Sequence, residues 1–147
     1  MTASKIILLI DDDTDDKDMF EMLLKDIDPS LMLHWELDAG GAINYLKATE
    51  TEPFLIFCDI NLPKMNGLEF KQYLDSDPEL RQKSVPFIFY STAAKKDTVK
   101  LAYDVLTVQG FFLKQDNYHA SKSNMSCILS YWSKCVHPKN CDLMRVL

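Results

Sequence analysis

The sequence predicts an α/β fold in which helices cover both faces of a five-stranded parallel sheet. Short apolar segments alternate with segments of helical periodicity along the chain, which is the order of elements in such folds. Four of the apolar segments have almost no polar interruption, as expected of strands that are covered on both faces. The connections are short, so each strand is expected to run parallel to the next, with a right-handed crossover through a helix.

The first three elements are a strand, a helix and a strand. KIILLI (5–10) is apolar after its first residue and predicts a central strand. An apolar stripe at helical spacing within residues 19–27 predicts the first helix, which Pro29 ends. LMLHWEL (31–37) alternates, with its leucines and tryptophan on one face, so it predicts an edge strand.

The middle of the chain continues the alternation. Residues 42–46 predict a short second helix, and FLIFC (54–58) predicts a second central strand. A third helix is expected over residues 67–74. PFIFY (86–90) predicts another central strand, and apolar residues at helical spacing within 99–106 predict the fourth helix.

The last elements are GFFL (110–113), which predicts the fifth strand, and a long fifth helix over residues 117–136. Residues 137–147 carry no clear pattern and are expected to form a C-terminal tail. A chain of 147 residues suffices for one domain with a proper core. We therefore expect a single domain over residues 1–147, with its core at about 5–136.

Composition limits the classes of partner. The net charge is −6 and the pI is near 5.0, which argues against nucleic acid and anionic membrane surfaces, because both require a basic face. No apolar segment approaches the roughly 20 residues that cross a bilayer, and the N-terminus lacks the pattern of a secretion signal. A cytoplasmic location is expected.

The four cysteines predict reduced thiols, because they are sparse and show no CxxC spacing. Cys135, His137 and Cys141 lie close enough in sequence to suggest a zinc site. No second pair of ligands follows them, so plain thiols are the favoured interpretation.

Each central strand is followed by a charged or reactive side chain. Asp11 and Asp12 follow the first strand, Asp59 the second central one, Ser91 the next, and Lys114 the last. The carboxyl ends of parallel strands share one edge of the sheet, so we expect these side chains to meet there. Three carboxylates at one point favour a hard divalent cation, and oxygen ligands suit Mg²⁺.

The aspartates of residues 11–18 also have an interpretation as helix caps. Either Asp13 or Thr14 is the expected N-cap, and the later aspartates would face the positive end of the first helix. Asp11 and Asp12 precede the cap, so the metal interpretation is kept for them. The residues assigned to the helix end are Asp15, Asp16 and Asp18.

These motifs together resemble the receiver domain of bacterial two-component response regulators. The resemblance rests on Asp11 and Asp12 after IILLI, Asp59 in FCDINLPKMNG, Ser91 in FIFYSTAA and Lys114 in GFFLKQD. It covers roughly residues 5–136 and includes a DxxxPxxxG pattern, whose members are Asp59, Pro63 and Gly67.

The resemblance implies a flavodoxin-like fold with strand order 2-1-3-4-5 and a phosphorylatable aspartate at Asp59. It implies that Asp12 and Asp59 bind Mg²⁺ directly, that Asp11 acts through water, and that Asn61 lends its backbone carbonyl to the metal. A phosphohistidine on a sensor histidine kinase or a histidine phosphotransfer protein would be the phosphoryl donor. The protein would assist only its own phosphorylation and dephosphorylation, so it is not expected to be an enzyme in the usual sense.

The resemblance also implies a switch. Ser91 matches the switch hydroxyl, with Thr92 as the alternative, Phe111 matches the switch aromatic, and Lys114 pairs with the phosphoryl group. A surface formed by the fourth helix, the fifth strand and the fifth helix would then change for a downstream partner. The family usually has proline after the lysine, joined by a cis bond. Gln115 stands there, and because a non-prolyl cis bond costs about 2.5–4 kcal/mol, we expect a trans bond or an altered loop.

Three other functions remain open from the sequence. A receiver-like interaction module that takes no phosphate is the main alternative. A phosphohydrolase with a DxDxT nucleophile after the first strand is disfavoured, because Asp15 occupies the threonine position. A calcium-binding loop starting at Asp11 is disfavoured too, because Asp16 and Met22 stand where glycine and glutamate are required.

Overall fold

The computed structural model describes residues 5–83, 85–93 and 95–138. Five strands form one parallel sheet in the order β2-β1-β3-β4-β5, so the predicted topology is confirmed. The strands are β1 (Ile6–Ile10), β2 (Met32–Glu36), β3 (Leu55–Cys58), β4 (Phe87–Ser91) and β5 (Gly110–Leu113). The helices are α1 (Thr14–Ile27), α2 (Ala39–Ala48), α3 (Gly67–Ser76), α4 (Pro78–Gln82), α5 (Lys96–Asp104) and α6 (Tyr118–Lys134).

The chain divides into two compact units, of which the first ends at Lys114 and the second begins at Gln115. The first unit contains the whole sheet and the helices α1 to α5. In the second unit Asn117 caps α6 by accepting a hydrogen bond from the Ala120 amide at 2.7 Å. Across the described ranges, no helix combines the length and the apolar character needed to cross a bilayer.

Aromatic side chains pack on the inner strands of the sheet. Phe57 and Tyr90 contact Phe20 of α1 edge-to-face, with ring centroids 5.1 and 6.0 Å from it. Phe87 lies 6.0 Å from Phe70 of α3. Burial of these rings removes large apolar areas from water and is the main source of stability for such a core. The described residues of β1, β3 and β4 are almost entirely buried, which explains their uninterrupted apolar sequences.

The structure adds one helix to the predicted elements and shifts the ends of several others. The short helix α4 was not predicted. Asp77 ends α3 and caps α4, where its carboxylate accepts hydrogen bonds from two amides, and Pro78 occupies the first helical position. The strand β4 runs one residue further than predicted and includes Ser91, which is fully buried.

Asp75 links a buried lysine of its own helix, α3, to the loop before β5. Lys71 donates to Asp75 at 2.8 Å, and its ammonium lies 5.1 Å from the ring centroid of Phe87. Asp75 also accepts from the hydroxyl of Thr107 at 2.8 Å and from its amide at 3.3 Å. Burial disfavours the charged carboxylate, but the hydrogen bonds from Lys71 and Thr107 outweigh it, so the pKa of Asp75 is lowered.

We expect Asp75→Ala to lower the free energy of unfolding by about 2–3 kcal/mol, because Lys71 would keep a buried charge without its partner. The contribution has a defined pH dependence. Because the pKa of Asp75 is lowered in the folded state, the charged carboxylate stabilises the fold at pH values above its ordinary pKa of 3.8. This stabilisation is lost as the pH falls through the folded-state pKa. Urea denaturation at several pH values measures it.

The difference between wild type and Asp75→Ala is expected to be constant above about pH 5 and to shrink below about pH 4. Removal of the exposed Glu50 by Glu50→Ala is the matched control and is expected to change stability by less than about 0.5 kcal/mol. A difference that stays the same down to pH 3 would show that the ion pair does not carry the contribution.

Candidate functional site

Acidic side chains from two neighbouring strands meet at one edge of the sheet. β1 ends at Ile10 and β3 at Cys58, and these two residues are register partners. Asp11 and Asp59 therefore leave the sheet side by side, and the Asp59 amide donates to the Ile10 carbonyl at 3.0 Å. Asp11, Asp12 and Asp59 each offer one carboxylate oxygen, and these oxygens lie within 4.8 Å of one another.

Lys114 supplies the positive charge at this point. It follows β5 directly, and its amide donates to the Ser91 carbonyl at 2.8 Å. The ammonium contacts Asp11 at 2.6 Å, Asp16 at 2.8 Å and Asp59 at 3.1 Å. The described residues contain no cis peptide bond, so Lys114 is joined to Gln115 in trans, as expected for a non-prolyl residue.

A hydroxyl and an amide contact the other oxygen of Asp59. The buried Ser91 hydroxyl donates to Asp59 Oδ1 at 2.9 Å, and the Asn61 amide donates to the same oxygen at 3.3 Å. Thr92 is exposed, so of the two hydroxyls proposed from the sequence the structure brings Ser91 to the carboxylate. The ring centroid of Phe111 lies 5.7 Å from that of Phe89, and Phe111 packs against the core.

Gly67 holds the turn that follows Asp59. A Cβ atom on Gly67 would lie 2.2 Å from the Asp59 carbonyl oxygen and 2.9 Å from the Ile60 Cα atom, so only glycine permits this approach. The Gly67 amide donates to the Ile60 carbonyl at 2.8 Å. Asn66 then caps α3 in a capping box with Glu69, so the turn leads directly into a stabilised helix. The glycine of the DxxxPxxxG pattern is thus a geometric requirement of the loop.

Burial and charge together shift the pKa values here. Burial raises the pKa of Asp11 and outweighs the hydrogen bond from Lys114, which acts in the opposite direction. Burial also disfavours the Lys114 ammonium, but hydrogen bonds to Asp11 and Asp16 outweigh it and raise the pKa of Lys114 well above its usual range. The pKa of the Cys58 thiol is raised by complete burial and by the neighbouring Asp59, so this cysteine is a neutral core residue.

The donor set fits a hard divalent cation. Asp11, Asp12 and Asp59 offer only oxygen atoms, which suit Mg²⁺ or Mn²⁺ rather than zinc. Asp16 adds a fourth carboxylate to this group, so Lys114 alone does not balance the negative charge. A bound cation would relieve the repulsion among the carboxylates. Of the suggested zinc ligands, Cys135 is a free thiol and Cys141 lies outside the described residues.

Two contacts at the site were not predicted from the sequence. The Trp35 indole donates to the Asp11 carbonyl at 2.7 Å and so ties β2 to the acidic residues. Asp16 was assigned only to the helix end, yet its carboxylate contacts Lys114. The sequence held no local signal for this contact, because 98 positions separate Asp16 from Lys114.

The family comparison agrees with this arrangement. The response regulator receiver domain family matches residues 7–120. The chain therefore belongs to the response regulator receiver domain family, whose members are generally signalling domains of two-component systems and bind a divalent metal at an acidic pocket. This membership supports a phosphoacceptor role and confirms the family proposed from the sequence motifs.

Individual relatives lie within the same family. Response regulator Rcp1 of Synechocystis sp. is 29% identical over 139 residues, which cover 90% of this chain and 91% of that protein. The phosphorylated cyanobacterial phytochrome response regulator RcpA is 28% identical with a TM-score of 0.80, over 90% of this chain and 96% of that one. The Mn²⁺-bound form of Rcp1 has the same identity and coverage, with a TM-score of 0.75. A two-component response regulator from Legionella pneumophila is 26% identical with a TM-score of 0.71, over 86% of this chain and 98% of that one.

We expect Gly67→Ala to destabilise the protein by about 1–3 kcal/mol, because the new Cβ atom would collide with the Asp59 backbone. Thermal and urea denaturation measure the change. Gly40→Ala is the matched control. Its Cβ atom would lie 3.6 Å from Asp38, an ordinary contact, and alanine is favoured inside α2, so this variant is expected to gain about 0.5–1 kcal/mol. Equal effects of the two substitutions would contradict the role assigned to Gly67.

Proposed function

We propose that this protein is a single-domain receiver over residues 1–147, in which Asp59 accepts a phosphoryl group from a phosphohistidine donor. One observation carries the proposal. Both carboxylate oxygens of Asp59 have partners suited to a phosphoryl group, since Ser91 and Asn61 contact Oδ1 and Lys114 contacts Oδ2. These contacts suit the transfer of a phosphoryl group to the Asp59 carboxylate.

The transfer forms a bond between an Asp59 oxygen and phosphorus and breaks the bond between phosphorus and the donor imidazole nitrogen. The electron pair stays on the imidazole, which takes a proton from solvent. Lys114 offers an ammonium hydrogen to the phosphoryl oxygens, and Ser91 can donate its hydroxyl to the same group. After transfer the group carries close to two negative charges, which these donors stabilise.

The acidic residues are the proposed metal ligands. Asp12 and Asp59 would bind Mg²⁺ directly, together with the Asn61 carbonyl, while Asp11 would act through water. A cation held by these residues would supply positive charge that offsets the negative charge of the phosphoryl group. The existence of a Mn²⁺-bound form of the relative Rcp1 supports the binding of a divalent cation by this protein.

Phosphorylation is proposed to act on a partner through Ser91 and Phe111. Ser91 ends β4, and Phe111 of β5 lies beside Phe89 of β4. A shift of the Ser91 hydroxyl toward the phosphoryl group would therefore be passed along β4 to the Phe111 ring. Four exposed apolar side chains in α5, at its C-terminal end and in β5 suit contact with a protein partner. They are Leu101, Tyr103, Val105 and Leu113. The donor would be a sensor histidine kinase or a histidine phosphotransfer protein in the cytoplasm.

Labelling with acetyl phosphate and Mg²⁺, followed by intact-mass measurement, tests the proposal. The wild type is expected to gain one acid-stable, alkali-labile phosphoryl group, and Asp59→Ala is expected to gain none, because it lacks the acceptor. Asp18→Ala removes one exposed charge from α1 and is the matched control, with labelling unchanged. Circular dichroism checks that each variant is folded.

The other outcomes separate the alternatives. Removal of Mg²⁺ with a chelator is expected to slow labelling by at least about tenfold, since the carboxylates would then face the phosphoryl group without a counter-charge. A wild type that never takes the label, although folded, would favour an interaction module that works without phosphate. Label that persists in Asp59→Ala and maps to Asp11 would favour the phosphohydrolase mechanism.

A further inference from the structure

Lys114 has a partner that the proposed reaction does not use. Its ammonium contacts three carboxylates, at 2.6 Å for Asp11, 2.8 Å for Asp16 and 3.1 Å for Asp59. Asp11 and Asp59 belong to the group of acids that could share a metal, whereas Asp16 does not. Asp16 comes from the first turn of α1 and not from the end of a strand.

The position of Asp16 is well fixed. The N-cap Asp13 accepts hydrogen bonds from the amides of Asp15 and Asp16, at 2.8 and 3.0 Å, which hold the first turn of α1. The Asp16 side chain is 38% exposed, while that of Lys114 is 9% exposed. The carboxylate thus reaches the lysine from a rigid helix end at the border of the site.

We propose that Asp16 is a positioning residue for Lys114, which holds the ammonium so that one of its hydrogens points to Asp59. The inference rests on the proposed phosphoryl transfer to Asp59 and deepens it. Asp16 would act through Lys114 alone and would contact neither the metal nor the phosphoryl group.

The local sequence explains why such a contact is needed. Lysine has a long, flexible side chain, and its three ammonium hydrogens can serve three acceptors at once. The Lys114–Gln115 bond is trans, so no cis-proline restricts the backbone after the lysine. When Asp11 and Asp59 engage a cation and a phosphoryl group, Asp16 is the contact that can still hold Lys114 in place. Lys114 donates to Asp16 and to Asp59 at the same time, so the two hydrogen bonds do not exclude each other.

The rate of labelling by acetyl phosphate with Mg²⁺ tests the proposal on the full chain. Asp16→Ala is expected to slow labelling on the order of tenfold, because misplacement of a catalytic group by a fraction of an ångström is costly. Asp15→Ala is the matched control: it removes the same charge from the same helical turn, and its rate is expected to stay within about twofold of wild type. Asp16→Asn keeps an oxygen acceptor and is expected to fall between Asp16→Ala and wild type.

A double-mutant cycle separates positioning from a general effect of charge. In the Lys114→Ala background, Asp16→Ala is expected to cause no further loss, since Asp16 would act only through the missing ammonium. The ammonium resonance of Lys114 in nuclear magnetic resonance gives a second readout that needs no labelling. It is expected to be protected from exchange with water in wild type and Asp15→Ala, and to lose this protection in Asp16→Ala.

Three results would overturn the inference. They are equal rates for Asp16→Ala and Asp15→Ala, an unchanged Lys114 resonance in Asp16→Ala, and faster labelling of either Asp16 variant than of wild type. The last would mean that Asp16 draws Lys114 away from the phosphoryl group. A wild type that takes no label would instead contradict the proposed function, so the two failures are distinguishable.

Discussion

The arrangement of the site depends on one electrostatic constraint, the burial of carboxylates from β1 and β3 beside each other. Asp11 and Asp59 follow register partners in adjacent strands, so the sheet itself forces them together. Two buried carboxylates at this spacing repel each other, and a positive charge beside them lowers this cost. Lys114, which follows the edge strand β5, supplies this positive charge. Negative charge remains at the site and favours the binding of a cation.

The packing of the loop after β3 serves the same constraint. Gly67 lies against the Asp59 backbone, and the capping box of Asn66 and Glu69 starts α3 immediately afterwards. Ser91 reaches Asp59 because β4 extends to that residue in the buried centre of the sheet. Strand register, one glycine and one helix cap therefore place the acidic group, while the aromatic core beneath keeps these elements fixed.

The sequence predicts the sheet well because uninterrupted apolar segments have few alternatives. The edge position of β2 followed from its alternating pattern, and the strand order followed from the family resemblance. The helix α4 was missed because five residues are too few for a periodic signal, although Asp77 and Pro78 form a recognisable start. The residues predicted to meet do meet, but the roles of Asp59 as phosphoacceptor and of Asp12 as metal ligand stay predictions. The pairing of Asp16 with Lys114 spans 98 positions, and a local explanation by the helix dipole concealed it.

We infer that the carboxylates beside Lys114 form a site for a divalent cation. The most direct measurement is a crystal structure of the protein grown with Mn²⁺, with data collected at the manganese absorption edge. One strong anomalous peak is expected among the carboxylates of Asp11, Asp12 and Asp59. A well-ordered site with no anomalous peak there, at saturating Mn²⁺, would contradict it.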